Sequence, residues 1–188
     1  MRLSHLFLAA ALALTASSGS RSDAQRLSAD GATQTFQFLS DQYFEDVYFH
    51  FSPTAGTSAG FHKYDSTLED YSAATQAKEI AALHQYLIKI EAIPADGLDA
   101  AVAADREVML NSIRSTLLSL ENIKMLEKNP DAYSSGVTSS IFTLIERPYA
   151  PVNARLHAAI AREKAIPQVF AEARKNLKKR FGGNPSSR

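Results

Sequence analysis

The run Gly56-Thr57-Ser58-Ala59-Gly60 has the spacing of a hydrolase nucleophile elbow, in which a serine hydroxyl attacks a carbonyl carbon. That chemistry needs a strand ending just before the serine and a helix starting just after it, because the tight turn between them exposes the hydroxyl beside an oxyanion hole. Here the preceding residues follow a helical period that Ser52-Pro53 interrupts, and Phe61-His62-Lys63-Tyr64-Asp65 read as loop. The acid and histidine partners of a triad should lie further along, yet His84 and His157 fall inside amphipathic segments. The small residues are expected to let backbone approach backbone, and no catalytic residue is assigned.

His62 and Asp65 offer one metal ligand each. Metal sites usually show paired donors, such as histidines one helical turn apart. The histidines at 5, 50, 62, 84 and 157 form no such pair, so no metal ligand is assigned. Glu121 stands among apolar neighbours, with Arg147, Arg155 and Arg162 further along; ion pairs between packed helices are expected here rather than a substrate clamp. The basic run from Arg174 to Arg180 reads as the solvated face of a helix whose last turn favours cations.

The elements that must position these residues are helical. From about Asp30 to Phe51, apolar side chains at Phe36, Leu39, Tyr43, Phe44, Val47 and Phe51 recur at three and four residues. Ser72 is a suitable N-cap for a helix to about Ile93, with Ala77, Ile80, Leu83, Leu87 and Ile90 inward. Pro94-Ala95-Asp96-Gly97 turns the chain into the longest helix, from about Leu98 to Lys128, which Asn129-Pro130 ends. A shorter helix bears Ile141, Leu144 and Ile145; another runs from about Ala150 to Lys164; and Pro167 opens a last one that aligns Ile166, Val169, Phe170, Ala173, Leu177 and Phe181. Nothing alternates with period two. The expected fold is all-α: about six amphipathic helices in a bundle-like array, with one long loop near residues 52–71 of a length that often has a role.

Residues 1–24 read as a secretory signal peptide: Arg2, an apolar core from Leu6 to Ala16, then small and polar residues, with Ser22-Asp23-Ala24 as one candidate cleavage site and Ala16 to Ser18 as a second. The core is too short to span a bilayer, which takes roughly 20 residues. Residues 25–181 are expected to form one helical domain and 182–188 a disordered tail. With no cysteine in the chain, the fold must hold together by packing without disulfides. Lys plus Arg equal Asp plus Glu at 20 each, which points to no nucleic-acid or anionic-membrane partner. The expected location is periplasmic or secreted.

Taken in order, several pieces resemble a bacterial family catalogued as domain of unknown function 885. They are Pro53-Thr54-Ala55 with Gly60-Phe61-His62-Lys63-Tyr64-Asp65, Leu68-Glu69-Asp70-Tyr71-Ser72, Asp105, Leu120-Glu121, Asn129-Pro130-Asp131-Ala132-Tyr133, Arg147-Pro148-Tyr149-Ala150-Pro151, Arg155, Arg162, Ile166-Pro167 and Ala173-Arg174-Lys175-Asn176-Leu177. The chain departs from the family in lacking tryptophan, which members often carry before Asn-Pro, where Met125 and Leu126 stand. The resemblance implies a helix-rich, often exported protein similar to zinc metallopeptidases, whose H-E-x-x-H helix lies far downstream. No histidine is followed by glutamate here.

The resemblance therefore implies the amino-terminal part of such an enzyme, truncated and not catalytic alone. Zinc is implied only for full-length relatives, and a peptide or small-molecule substrate only in that context. Such a part would help wall a substrate cleft, with Gly60, His62, Tyr64, Asp65 and Arg147 as candidate contacts. The alternative is a self-contained periplasmic helical binding module. The oligomeric state is left open.

Overall fold

A computed structural model describes the backbone of residues 17–181 and the side chains of residues 30–177. The predicted apolar signal core and the tail at 182–188 fall outside these residues, as does the side chain of Phe181. The fold is all-α, with no strand among the described residues. Among the described residues, seven α-helices of four residues or more follow in order: α1 Ser17–Tyr43, α2 Pro53–Ser58, α3 Ala73–Glu91, α4 Ala100–Leu117, α5 Met125–Lys128, α6 Asp131–Glu146 and α7 Val152–Phe181. None of the described helices is long and apolar enough to cross a membrane.

Two helical groups lie side by side. In the first, α1, the π-helical turn Phe44–Tyr48 that follows it, α3 and α4 bury Phe36, Tyr43, Val47, Leu83, Ile90 and Ile113 in one continuous core. As expected, Ser72 caps α3, its hydroxyl accepting the Thr75 amide hydrogen at 3.2 Å. Ala77 is exposed, and Tyr86 takes an inward place that the predicted set lacks. In the second group, α6 and α7 pack through Tyr133, Val169 and Ala173 at one end and Leu144, Ala158 and Ala159 at the other.

The expected long helix from Leu98 to Lys128 is broken. α4 ends at Leu117, a π-helical turn covers Leu118–Ile123, and Lys124 adopts a left-handed conformation at φ 54° before α5. The detour has a packing reason. Leu120 rests against the first core and Leu126 against the second, so the chain must change direction between them. Met125 is consequently exposed.

Conversely, the two helices expected on either side of Pro167 are one. Proline inside a helix removes a hydrogen bond to the carbonyl four residues earlier and costs about 3 kcal/mol. Pro167 and Glu163 both lie on the exposed side of α7, where water can take over that carbonyl. Buried Arg162 and Val169 anchor the helix on either side. Phe170, expected on the aligned apolar face, points out, as does Ile145 on α6.

Glu79 on α3 is only partly exposed, and burial raises its carboxyl from the ordinary 4.5 to about 7. Its charge in turn adds to the burial that pushes Tyr43 up to about 12 and raises Tyr71. Between pH 4.5 and 7 the folded state then binds more protons than the unfolded state, so stability falls as pH rises through that window. Asp70 acts elsewhere: although burial opposes it, hydrogen bonds from Thr75 and Ser72 lower its carboxyl, a contribution lost only as pH falls below the usual aspartate range. The Tm of the wild type should decline between pH 5 and 8 more steeply than that of Glu79→Gln. Parallel profiles in thermal melts would exclude Glu79 as the cause.

Candidate functional site

The segment expected as one loop at 52–71 is largely wound up. Ser52 has a non-helical backbone (φ −125°, ψ 65°), and Pro53 occupies the first turn of α2, where its missing N–H is not needed. Ser52 makes no side-chain cap. Glu69 does this instead from 15 residues away: the Thr54 amide and hydroxyl donate to its two carboxylate oxygens, each at 3.0 Å. A carboxylate at a helix N-terminus also complements the dipole.

The five-residue motif is accounted for by packing and capping. Gly56 faces Tyr64 so closely that an added Cβ would lie 2.6 Å from the ring. Gly60 ends α2 at φ 91°, with Gly60 N–H donating to the Thr57 carbonyl and Phe61 N–H to the Gly56 carbonyl. This is a Schellman cap, which favours glycine at that position. Ser58 lies at the end of α2, and its hydroxyl donates to the Thr54 carbonyl at 2.9 Å. Ser58 is thus the last residue of a helix rather than the turn between a strand and a helix.

Beyond Gly60, a 3₁₀ turn at His62–Tyr64 brings Asp65 inward. Asp65 Oδ2 accepts the Tyr149 hydroxyl at 2.6 Å and lies 3.2 Å from His62 Nδ1. The His62 ring stacks on Tyr149 at 3.9 Å, 4° from parallel. Tyr149 belongs to the turn between α6 and α7, so this contact fastens the 62–65 turn to that hairpin. Burial, reinforced by the hydrogen bond to Asp65 and the charge of that carboxylate, holds the Tyr149 hydroxyl up at about 12; Arg162 and Arg155 oppose the rise.

Beneath lies Arg162, fully buried on α7. Its Nη1 donates to the Ser140 carbonyl at 2.6 Å, and its Nη2 to the Thr57 hydroxyl at 2.6 Å and the Tyr64 carbonyl at 3.2 Å. Burial lowers its pKa, opposed by the charges of Glu69, Asp65 and Tyr149. Asp65 Oδ1 and Arg162 Nε have no partner among the described residues.

The five candidate contacts therefore share one end of the molecule but not one direction. His62 and Asp65 meet at Tyr149. Arg147 donates to the Ser58 carbonyl at 3.2 Å, two residues before Gly60. The Tyr64 side chain instead reaches the Glu45 carbonyl at 3.2 Å, and only its backbone carbonyl joins the Arg162 cluster. Residue reading missed Tyr149, Thr57 and Ser140 and linked Arg162 to Glu121. Glu121 is exposed and pairs with His84 at 3.0 Å, while Arg155 donates to the Leu144, Ile145 and Ala150 carbonyls. The available signal was the clustering of Arg147, Tyr149, Arg155 and Arg162 around a proline-flanked turn.

Zinc does not fit these residues. Asp65 Oδ2 is already engaged by Tyr149, and among the described residues no three His, Cys, Asp or Glu side chains stand together as a ligand set. Residues 53–185 match the model of a family described as a bacterial protein of unknown function (DUF885). No curated protein and no solved structure matches the chain.

Gly56→Ala should push the Tyr64 ring off its seat and cost about 1–3 kcal/mol, lowering Tm by roughly 2–12 °C. Gly31→Ala, on an exposed stretch of α1 with nothing near the new methyl, serves as the control and should be neutral or stabilising by up to about 1 kcal/mol. Equal Tm shifts for the two variants in differential scanning calorimetry would contradict the packing role of Gly56.

Proposed function

The chain belongs to this bacterial family of unknown function 885, and from that premise we propose that it is the helical, cleft-walling part of a metallopeptidase-like hydrolase, exported to the periplasm or beyond and without catalytic activity of its own. In this reading the metal and the attacking group reside on polypeptide outside these helices. The surface formed by Gly60, His62, Tyr149 and Arg147 faces a peptide or small-molecule substrate, with neither nucleic acid nor membrane as partner.

The observation that carries the reading is the back of the α6–α7 hairpin. Phe142, Ile145 and Val152 are each 58% exposed, and Leu156 and Ile160 continue the stripe at helical spacing along α7. They lie opposite the inward Ser140, Leu144, Ala158 and Arg162. Exposed apolar stripes of this kind on two packed helices support the reading of surfaces built to be covered. The proposed cover is the catalytic half of the hydrolase, and the hairpin turn that carries Arg147 and Tyr149 would bring the His62–Asp65 corner to its edge.

The competing reading, a self-contained binding module, draws on the closed core of α1, α3 and α4. The two differ in solution. The proposed part should bind a hydrophobic dye and tend to associate, and Phe142→Ser with Leu156→Ser should abolish most of the dye signal without lowering the helical circular dichroism. Peptide libraries incubated with the purified protein should remain uncut with or without zinc. Robust zinc-dependent cleavage would overturn the proposal, and a monodisperse, dye-silent wild type would favour the module.

A further inference from the structure

A groove of about 460 Å³ runs between α1 and α4, of a size that suits a small ligand. Its floor is Phe36, Tyr43 and Met109, all buried, and its walls are Phe44, Tyr48 and Val108. The α1 wall is shaped by a π-helical turn, Phe44–Tyr48, in which the Phe49 amide reaches back to the Phe44 carbonyl. Such bulges are often found at functional sites.

The rings are held by one another before any ligand arrives. Tyr43 and Phe44 meet edge to face at 5.6 Å, and Phe44 and Tyr48 do the same at 5.7 Å. Yet Phe44 is 40% and Val108 69% exposed, so the walls keep apolar surface in water that an occupant would cover.

Charge decides the class of occupant. Asp41 on α1 and Asp105 on α4 stand on opposite walls, and no lining residue is cationic. Among the described residues neither carboxylate takes part in an ion pair. An apolar body would settle on preorganised rings, and a positive head would meet two free carboxylates. Aromatic rings also attract cations. A neutral ligand would gain only the first contact, and an anion would meet repulsion. We propose that this groove binds a small organic cation with an apolar body, an aryl- or alkylammonium compound, its ammonium held between Asp41 and Asp105. The inference is independent of the hydrolase reading and shares no residue with the His62–Tyr149 corner or the back of the α6–α7 hairpin.

The test is calorimetric titration of the purified protein with 4-phenylbutylammonium, the neutral 4-phenylbutanol and the anionic 4-phenylbutyrate. The cation should bind tightest, the alcohol about fivefold more weakly and the anion not detectably, because each exposed ion pair contributes modestly. Asp41→Asn with Asp105→Asn should bring the cation down to the affinity of the alcohol. Both carboxylates are exposed, so the fold should persist. If the double variant misfolds, the wild type still decides: 0.5 M salt should weaken the cation and leave the alcohol unchanged. Absence of saturable cation binding at millimolar concentration would overturn the proposal. Equal affinity for all three probes, or cation binding untouched by both the substitutions and salt, would do the same.

Discussion

A single buried guanidinium holds together the end of the molecule where the candidate contacts lie. Arg162 has been taken fully out of water on α7, a costly placement that hydrogen bonds from its terminal nitrogens offset in part, with Nε left without a partner among the described residues. Its two terminal nitrogens reach a carbonyl of α6, a hydroxyl of α2 and a carbonyl of the 3₁₀ turn. Three stretches of chain, separated by up to 105 residues, are thereby fixed relative to one another. The rest follows from that placement: α2 must sit where Thr57 meets Arg162, Tyr64 must pass close over Gly56, and Asp65 must turn in towards Tyr149.

Arginine plays a related part elsewhere. Arg106 is buried on α4 and donates to the Ile90 and Glu91 carbonyls at the end of α3. Arg155 does likewise for the last carbonyls of α6. Helix C-termini leave carbonyls without partners and carry partial negative charge, so a forked cation from the neighbouring helix both satisfies and neutralises them. In a chain with no disulfide, these contacts supply orientation that apolar packing alone leaves loose. The two cores are then joined by the detour through the π turn and Lys124, whose left-handed backbone redirects the chain.

How much of this could be read beforehand depended on the range of the interaction. Helix type followed from local periodicity, and Ser72 announced the start of α3 through its own side chain. Pro53 correctly ended one helix, but the residues after it looked structureless because the cap of α2 comes from Glu69, outside any local window. Pro167 misled for the opposite reason: its cost is local, whereas the burial of Arg162 and Val169 that offsets it is tertiary. The break after Leu117 had no clear local mark, since what decides it is which core Leu120 and Leu126 join. At the candidate site, His62 and Asp65 were visible as polar residues in a run of small ones. Their partner Tyr149, 84 residues from Asp65, was visible only as one letter in a proline-flanked turn.

The central claim is that Arg162 fastens the segment around α2 to the α6–α7 hairpin, while the α1–α3–α4 core stands without it. Amide hydrogen exchange on Arg162→Leu against the wild type measures this directly. Loss of three charge-assisted hydrogen bonds should speed exchange across Gly56–Asp65 by on the order of a hundredfold, while the amides of α3 and α4 keep their protection. Unchanged protection in Gly56–Asp65, or equal acceleration over the whole chain, would contradict it.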